Sequence, residues 1–133
     1  MTFVTSSRKP APEVRKLAKE IAFALGLSYI QRGKAGLRTM GAEDPEIIFL
    51  SVSKRKGPLF DLTVNGEIVF SMLITNVLES DRSGPFFSGF LTRERELFDA
   101  LSPHVKMLFD ENAPGPIVFC GTQKMQYVLQ VMV

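Results

Sequence analysis

The sequence predicts an α/β fold with a mixed β-sheet and two or three helices, and three observations predict it. Val14, Leu17, Ala18, Ile21, Ala22 and Leu25 recur at the i, i+3, i+4, i+7 spacing of a helix with one buried stripe. Asn65-Gly66 stands between two runs of strand character, which is the strongest short hairpin signal. A strand–helix–strand pattern occurs near the start of the chain and again near its end, with no sequence repeat behind it.

In chain order, Thr2 to Thr5 is short and β-branched and suits a first strand. Pro10 and Pro12 are tolerated before or in a first helical turn but not inside a helix, so the first helix should start at about Ala11 to Glu13. Gly26 suits its C-cap. Ser28 to Gln31 reads as a second strand, and Leu37 to Ala42 as a short helix or turn. Glu46 to Ser53 contains the continuous apolar run Ile47-Ile48-Phe49-Leu50, as in a strand buried on both faces. Phe60, Leu62 and Val64 alternate with polar residues, so the strand before Asn65-Gly66 has one buried face, and Glu67 to Ile74 forms its partner.

Val77 to Gly89 is rich in turn residues and reads as a loop that anchors Phe86 and Phe87 in the core. Exposed, the two rings would instead offer a stacking platform for bases. Thr92 can cap a second helix, with Glu94 and Glu96 in its first turn, Leu97, Phe98 and Leu101 on its buried side, and Pro103 at its end. Val105 to Phe109, Ile117 to Cys120 and Met125 to Val133 read as the remaining strands, and Asp110 to Pro116 as a loop.

At 133 residues, 45% of them hydrophobic and 23% charged, the chain has the size and composition of one globular domain and not of a disordered segment. No apolar run reaches the ~18 residues of a membrane span and no secretory h-region is visible, so no membrane partner and a cytoplasmic location are expected. One cysteine, Cys120, excludes an internal disulfide. It lies in an apolar run and is read as a small core residue rather than a catalytic thiol. His104, the one histidine, follows Pro103 in a turn with no second histidine or cysteine beside it, and no metal or other cofactor is expected.

Charge is unevenly spread. Residues 1–56 hold eleven Lys/Arg against five Asp/Glu, a net of +6, whereas residues 57–133 hold five against nine, a net of −4. The cations of the first part come in four patches: Arg8 and Lys9 in a hydroxyl-rich turn with Ser6 and Ser7, Arg15, Lys16 and Lys19 on the first helix with Arg15 and Lys19 four apart, Arg32, Lys34 and Arg38 in a loop with two glycines, and Lys54-Arg55-Lys56 in a turn. A turn at a helix N-terminus offers unpaired backbone N–H groups and the positive end of the dipole to an anion. The same residues also fit plain capping and solvated surface charge. No Walker A loop, Gly-x-Ser-x-Gly, His-Glu-x-x-His or Gly-x-Gly-x-x-Gly is present, so no catalytic set presents itself. Distributed cations suit a phosphate backbone better than one small anion.

Phe3-Val4-Thr5-Ser6-Ser7-Arg8-Lys9-Pro10, the helix segment Glu13 to Lys19, and Tyr29-Ile30-Gln31-Arg32-Gly33-Lys34 together resemble the N-terminal part of the Brix-domain family, in particular its short archaeal members, which are similar to the Imp-type pre-rRNA processing factors. The resemblance is most specific over residues 3–38, looser through 47–74 and weak after about residue 80. It implies a single domain over residues 1–133, made of two pseudo-repeated halves of about 1–58 and 59–133, each resembling the anticodon-binding domain of class II aminoacyl-tRNA synthetases. It also implies a non-enzymatic role in ribosome biogenesis, with pre-rRNA, and in eukaryotic relatives a guide RNA, as partner beside other assembly proteins. The Gly-Pro-Arg-Phe-like segment of many members is absent: Gly84-Pro85 is followed by Phe86, and Gly115-Pro116 by Ile117.

Charge, position and resemblance together lead to the expectation of an RNA-binding assembly factor whose contacts are Ser6, Ser7, Arg8, Lys9, Arg15, Lys19, Arg32, Lys34, Arg38, Lys54, Arg55 and Lys56. Two other readings stand beside it. One is a protein-interaction module whose apolar C-terminal strand pairs at a sheet edge. The other is a small phosphate-ligand enzyme that uses the Ser6-Ser7 turn and the 32–38 loop as an anion cradle.

Overall fold

The computed structural model describes residues 2–6, 11–30, 46–52, 58–64 and 66–133. Along these the chain forms β1 (Thr2–Ser6), α1 (Pro12–Leu25), β2 (Ser28–Tyr29), β3 (Glu46–Val52), β4 (Pro58–Val64), β5 (Glu67–Asp81), β6 (Phe90–Thr92), α2 (Arg95–Leu101), β7 (Met107–Phe109), β8 (Ile117–Cys120) and β9 (Met125–Met132). One mixed sheet takes all nine strands in the order β2-β1-β3-β4-β5-β9-β8-β6-β7. The expected α/β class is therefore found, with two helices among the described residues.

The order contains the same connectivity twice. β1–α1–β2 and β6–α2–β7 are parallel crossovers at the two ends of the sheet, and each is followed by an antiparallel hairpin, β4–β5 or β8–β9. The hairpins meet in the middle, where β5 lies antiparallel to β9. β3, parallel to β1, is present only in the first set.

Local chemistry explains the elements. Pro12 sits at the start of α1, where a missing N–H costs nothing. At the other end Gly26 adopts φ +69°, and the N–H groups of Leu27 and Gly26 bond back to the carbonyls of Ala22 and Phe23, the paired contacts of a Schellman motif. Val64 pairs with Glu67 across a two-residue hairpin loop in which Gly66 takes φ +84°.

One core cluster runs through the molecule. Val14, Leu17, Ala18, Ile21 and Leu25 of α1 and Leu97 and Leu101 of α2 join Val4, Ile48, Phe60, Leu62, Met72, Ile74, Ile117 and Leu129 of the sheet. A row of rings crosses it: Phe60 to Phe90 at 6.4 Å, Phe90 to Phe119 at 5.5 Å, and Phe119 stacked on Tyr127 at 5.0 Å. Cys120 is fully buried in β8, as its apolar run predicts.

Four expectations differ from the structure. Val77 to Asp81, read as loop, is strand: β5 runs on beyond its partner β4 and pairs Val77↔Leu129 through Asp81↔Met125 with β9, and this tertiary pairing overrides a local sequence of turn type. Phe86 is not in the core but half exposed. Thr92 ends β6 instead of capping α2; its hydroxyl accepts the Glu94 N–H at 3.0 Å, and the helix begins at Arg95. β9 lies between β5 and β8, so Met125 to Met132 is an interior strand and not an edge open to a partner. The expected helix or turn at 37–42 lies outside the described residues.

Candidate functional site

β1, β2 and β3 run parallel, so their C-terminal ends, Ser6, Tyr29 with Ile30, and Val52, lie at one end of the sheet. α1 starts from that end too, because a parallel crossover must carry the chain back along the sheet. In sequence these three strand ends stand just before Ser7-Arg8-Lys9, Arg32 to Arg38, and Lys54-Arg55-Lys56. The expected contacts themselves, the hydroxyl residue Ser7 and the cations Arg8, Lys9, Arg32, Lys34, Arg38, Lys54, Arg55 and Lys56, lie outside the described residues. The carboxyl ends of parallel strands are where α/β sheets usually hold their ligands, since loops diverge there and helix N-termini converge.

Ser6 has a different place from the one expected. It is 2% exposed, and its hydroxyl shares a 2.7 Å hydrogen bond with the phenol of Tyr29. Beside it the Thr5 hydroxyl donates to the Ile30 carbonyl at 2.6 Å. These side chains tie β1 to β2. A buried, bonded hydroxyl gives nothing to a surface ligand, so Ser6 supports the strand end and does not line it.

Arg15 and Lys19 are exposed on α1, one turn apart, and line a shallow hollow of about 300 Å³ with Pro12, Lys16 and Glu20. The Lys19 ammonium lies 5.8 Å from the centre of the Tyr29 ring, whose hydroxyl binds Ser6. This chain of contacts links the helix cations to the end of β1. Lys16 is engaged elsewhere: its Nζ lies 3.1 and 3.2 Å from the two carboxylate oxygens of Glu79 on β5. That hydrogen bond raises the Lys16 pKa above the ordinary lysine value. Arg15 and Lys19 take part in neither of the two ion pairs found among the described residues, Lys16–Glu79 and Arg95–Asp99.

Two features at the far end of this helix face, one on the helix and one packed beside it, were missed by the reading of charge alone. Phe23 is exposed and meets Phe86 edge-on, with Arg82 against the Phe86 ring. The signal for Phe23 was available, since it falls outside the 14/17/18/21/22/25 stripe and had to point away from the core. Arg82 carried none, because its place depends on how far β5 runs. Among the described residues no group of three or more His, Cys, Asp or Glu is placed to hold a metal ion. No described helix is long and apolar enough to cross a membrane.

Fold and surface thus define a small α/β protein with a cationic helix beside the carboxyl ends of three parallel strands. No family model matches the chain. It is 27% identical over 105 residues to a probable Brix domain-containing ribosomal biogenesis protein of Archaeoglobus fulgidus, a match covering 76% of this chain and 69% of that protein. Its fold matches the crystal structure of Mil, an archaeal Imp4-like protein, with a TM-score of 0.64 and 16% identity over 100% of this chain and 99% of the other. A sequence relative named for the Brix domain and the fold of an Imp4-like protein thus both agree with the Brix-domain resemblance.

Proposed function

We propose that this chain is an RNA-binding factor of ribosome biogenesis, acting as one domain without catalysis and holding pre-rRNA through its basic N-terminal part in company with other assembly proteins. The observation that carries the reading is the convergence of the C-terminal ends of β1, β2 and β3, each followed in sequence by a basic segment, beside the exposed Arg15 and Lys19 of α1. The name of the Archaeoglobus relative supports the process. Phosphates would be held by Arg8, Lys9, Arg15, Lys19, Arg32, Lys34, Arg38, Lys54, Arg55 and Lys56, with Ser7 as a further donor. Such contacts release counterions, so affinity falls steeply with salt. Irregular or single-stranded RNA is preferred over duplex, whose deep groove side chains do not read.

The test is a titration of purified protein with labelled pre-rRNA fragments across a salt series. Arg15→Ala with Lys19→Ala should weaken binding and flatten the slope of log affinity against log salt by about 1.4, two phosphate contacts' worth on a single strand. Arg8→Ala with Lys9→Ala should act in the same direction. Binding and slope unchanged in both double variants would sink the reading.

A further inference from the structure

Phe23 and Phe86 remain 46% and 50% exposed in a chain that buries Phe60, Phe90 and Phe119 completely. Their ring centroids are 6.0 Å apart at 69°. The Arg82 guanidinium carbon lies 5.5 Å from the Phe86 centroid. Phe23 is one helical turn beyond Lys19 and two beyond Arg15, so cation, cation and ring form a single ridge along α1. Of the carboxylates near the start of this ridge, Glu79 is paired with Lys16 and Glu20 accepts two hydrogen bonds from Thr122.

Ordered backbone holds the pair. The Arg82 N–H donates to the Lys124 carbonyl at 2.8 Å, and its Nε donates to the Gly84 carbonyl at 3.2 Å. Seven residues later the Gly89 N–H and the Ser88 hydroxyl both donate to the Ala24 carbonyl, at 2.7 and 3.3 Å. The β5–β6 connection is thus fastened to the β8–β9 turn at one end and to the end of α1 at the other. Phe86 is presented beside Phe23 rather than left on a free tip.

Apolar surface of this kind gains from a partner that removes it from water, and the cations around it select the partner's charge. A protein surface would fit the rings alone. Rings in line with Arg15 and Lys19 on one side and Arg82 on the other fit an alternation of flat bases and phosphates. We propose that Phe23 and Phe86 form a base-stacking site for single-stranded RNA, with Arg15, Lys19 and Arg82 holding the flanking phosphates. The proposal rests on the RNA-binding reading above and adds to it the kind of RNA and the place where a base is held. Duplex RNA is excluded from the site because its bases are already stacked and paired.

The chain contains no tryptophan, so Phe86→Trp supplies a single indole reporter at the site. A uridine oligonucleotide should quench it saturably, and a duplex of the same length should not. Phe23→Leu and Phe86→Leu keep an apolar side chain but no ring, and each should weaken oligonucleotide binding roughly 5- to 150-fold while leaving the salt slope unchanged; Phe86→Tyr should restore affinity. Leucine variants that bind like wild type, together with an unquenched indole, would overturn the proposal and point the rings toward a protein partner. The RNA-binding reading would survive that result if Arg15→Ala with Lys19→Ala still weakens binding. A wild-type chain that binds no RNA even at low salt would end both.

Discussion

Glu20 of α1 holds Thr122, at the start of the β8–β9 turn, by two hydrogen bonds across 102 residues of chain: the Thr122 N–H donates to one carboxylate oxygen at 2.7 Å and its hydroxyl to the other at 2.6 Å. Glu20 is 8% exposed, which is rare for a carboxylate and is explained by this double acceptance. The contact fastens the helix that carries Arg15, Lys19 and Phe23 to the second crossover's hairpin. Gly121 completes the fit, since a Cβ there would overlap both the Glu20 carboxylate and the Tyr127 ring.

Removing either partner leaves a polar group short of its bond. Glu20→Ala or Thr122→Ala should each destabilise the protein by about 1–3 kcal/mol, and the double variant by less than the sum of the two. Urea unfolding of the four proteins of the cycle checks this. Additive losses would show that the two side chains act independently. Gly121→Ala should cost at least as much, by displacing the carboxylate.

The turn itself stores strain. Gln123 and Lys124 adopt φ +57° and +61°, with the Met125 N–H donating to the Thr122 carbonyl at 3.1 Å. Two non-glycine residues in the left-handed region cost about 1–2 kcal/mol each, and Asn-Gly is the pair that such turns favour. Replacing Gln123-Lys124 by Asn-Gly should therefore raise stability by about 1 kcal/mol or more, read as a higher urea midpoint with unchanged slope. A lower midpoint would show that these side chains make contacts worth more than the strain.

Alkaline pH should destabilise the fold. Burial raises the Tyr127 pKa, helped by the carboxylates of Glu20 and Glu79, and the hydrogen bond to Glu79 raises that of Lys16. Both groups hold their protons more tightly folded than unfolded. Their contributions are intact below the ordinary tyrosine and lysine values and are lost as pH rises through the folded ones. The urea midpoint should fall above about pH 10. Tyr127→Phe, which does not titrate, should fall less steeply; an identical pH profile would exclude Tyr127 as a cause.

The elements legible in the sequence were those with a local cause. The α1 stripe, Gly26 at its end and Asn65-Gly66 between two strand-like runs each carry their own signal, and the structure has the stripe, the Gly26 cap and the Val64–Glu67 hairpin pairing where the sequence put them. What was not legible depends on pairing. Nothing local in Val77 to Asp81 announces a strand, because β9, far along the chain, supplies the hydrogen bonds. Likewise the reading of Ser6 from its neighbours Arg8 and Lys9 could not foresee Tyr29, whose phenol claims its hydroxyl from the adjacent strand. Arg15 and Lys19 were legible as exposed cations because helix periodicity alone assigns a face. Phe86 was misplaced because a ring's burial is set by what packs around it, here the exposed Phe23 and the tethered β5–β6 connection.

The measurement that tests the account most directly is a map of where RNA touches the protein. A pre-rRNA fragment carrying 4-thiouridine, crosslinked to the full chain at moderate salt and analysed by mass spectrometry of the peptides, should mark α1 around Arg15 to Phe23 and peptides within residues 1–56, with Phe86 as the expected contact outside them. Crosslinks confined to α2 and β7, around Arg95 and Lys106 at the opposite end of the sheet, would contradict it.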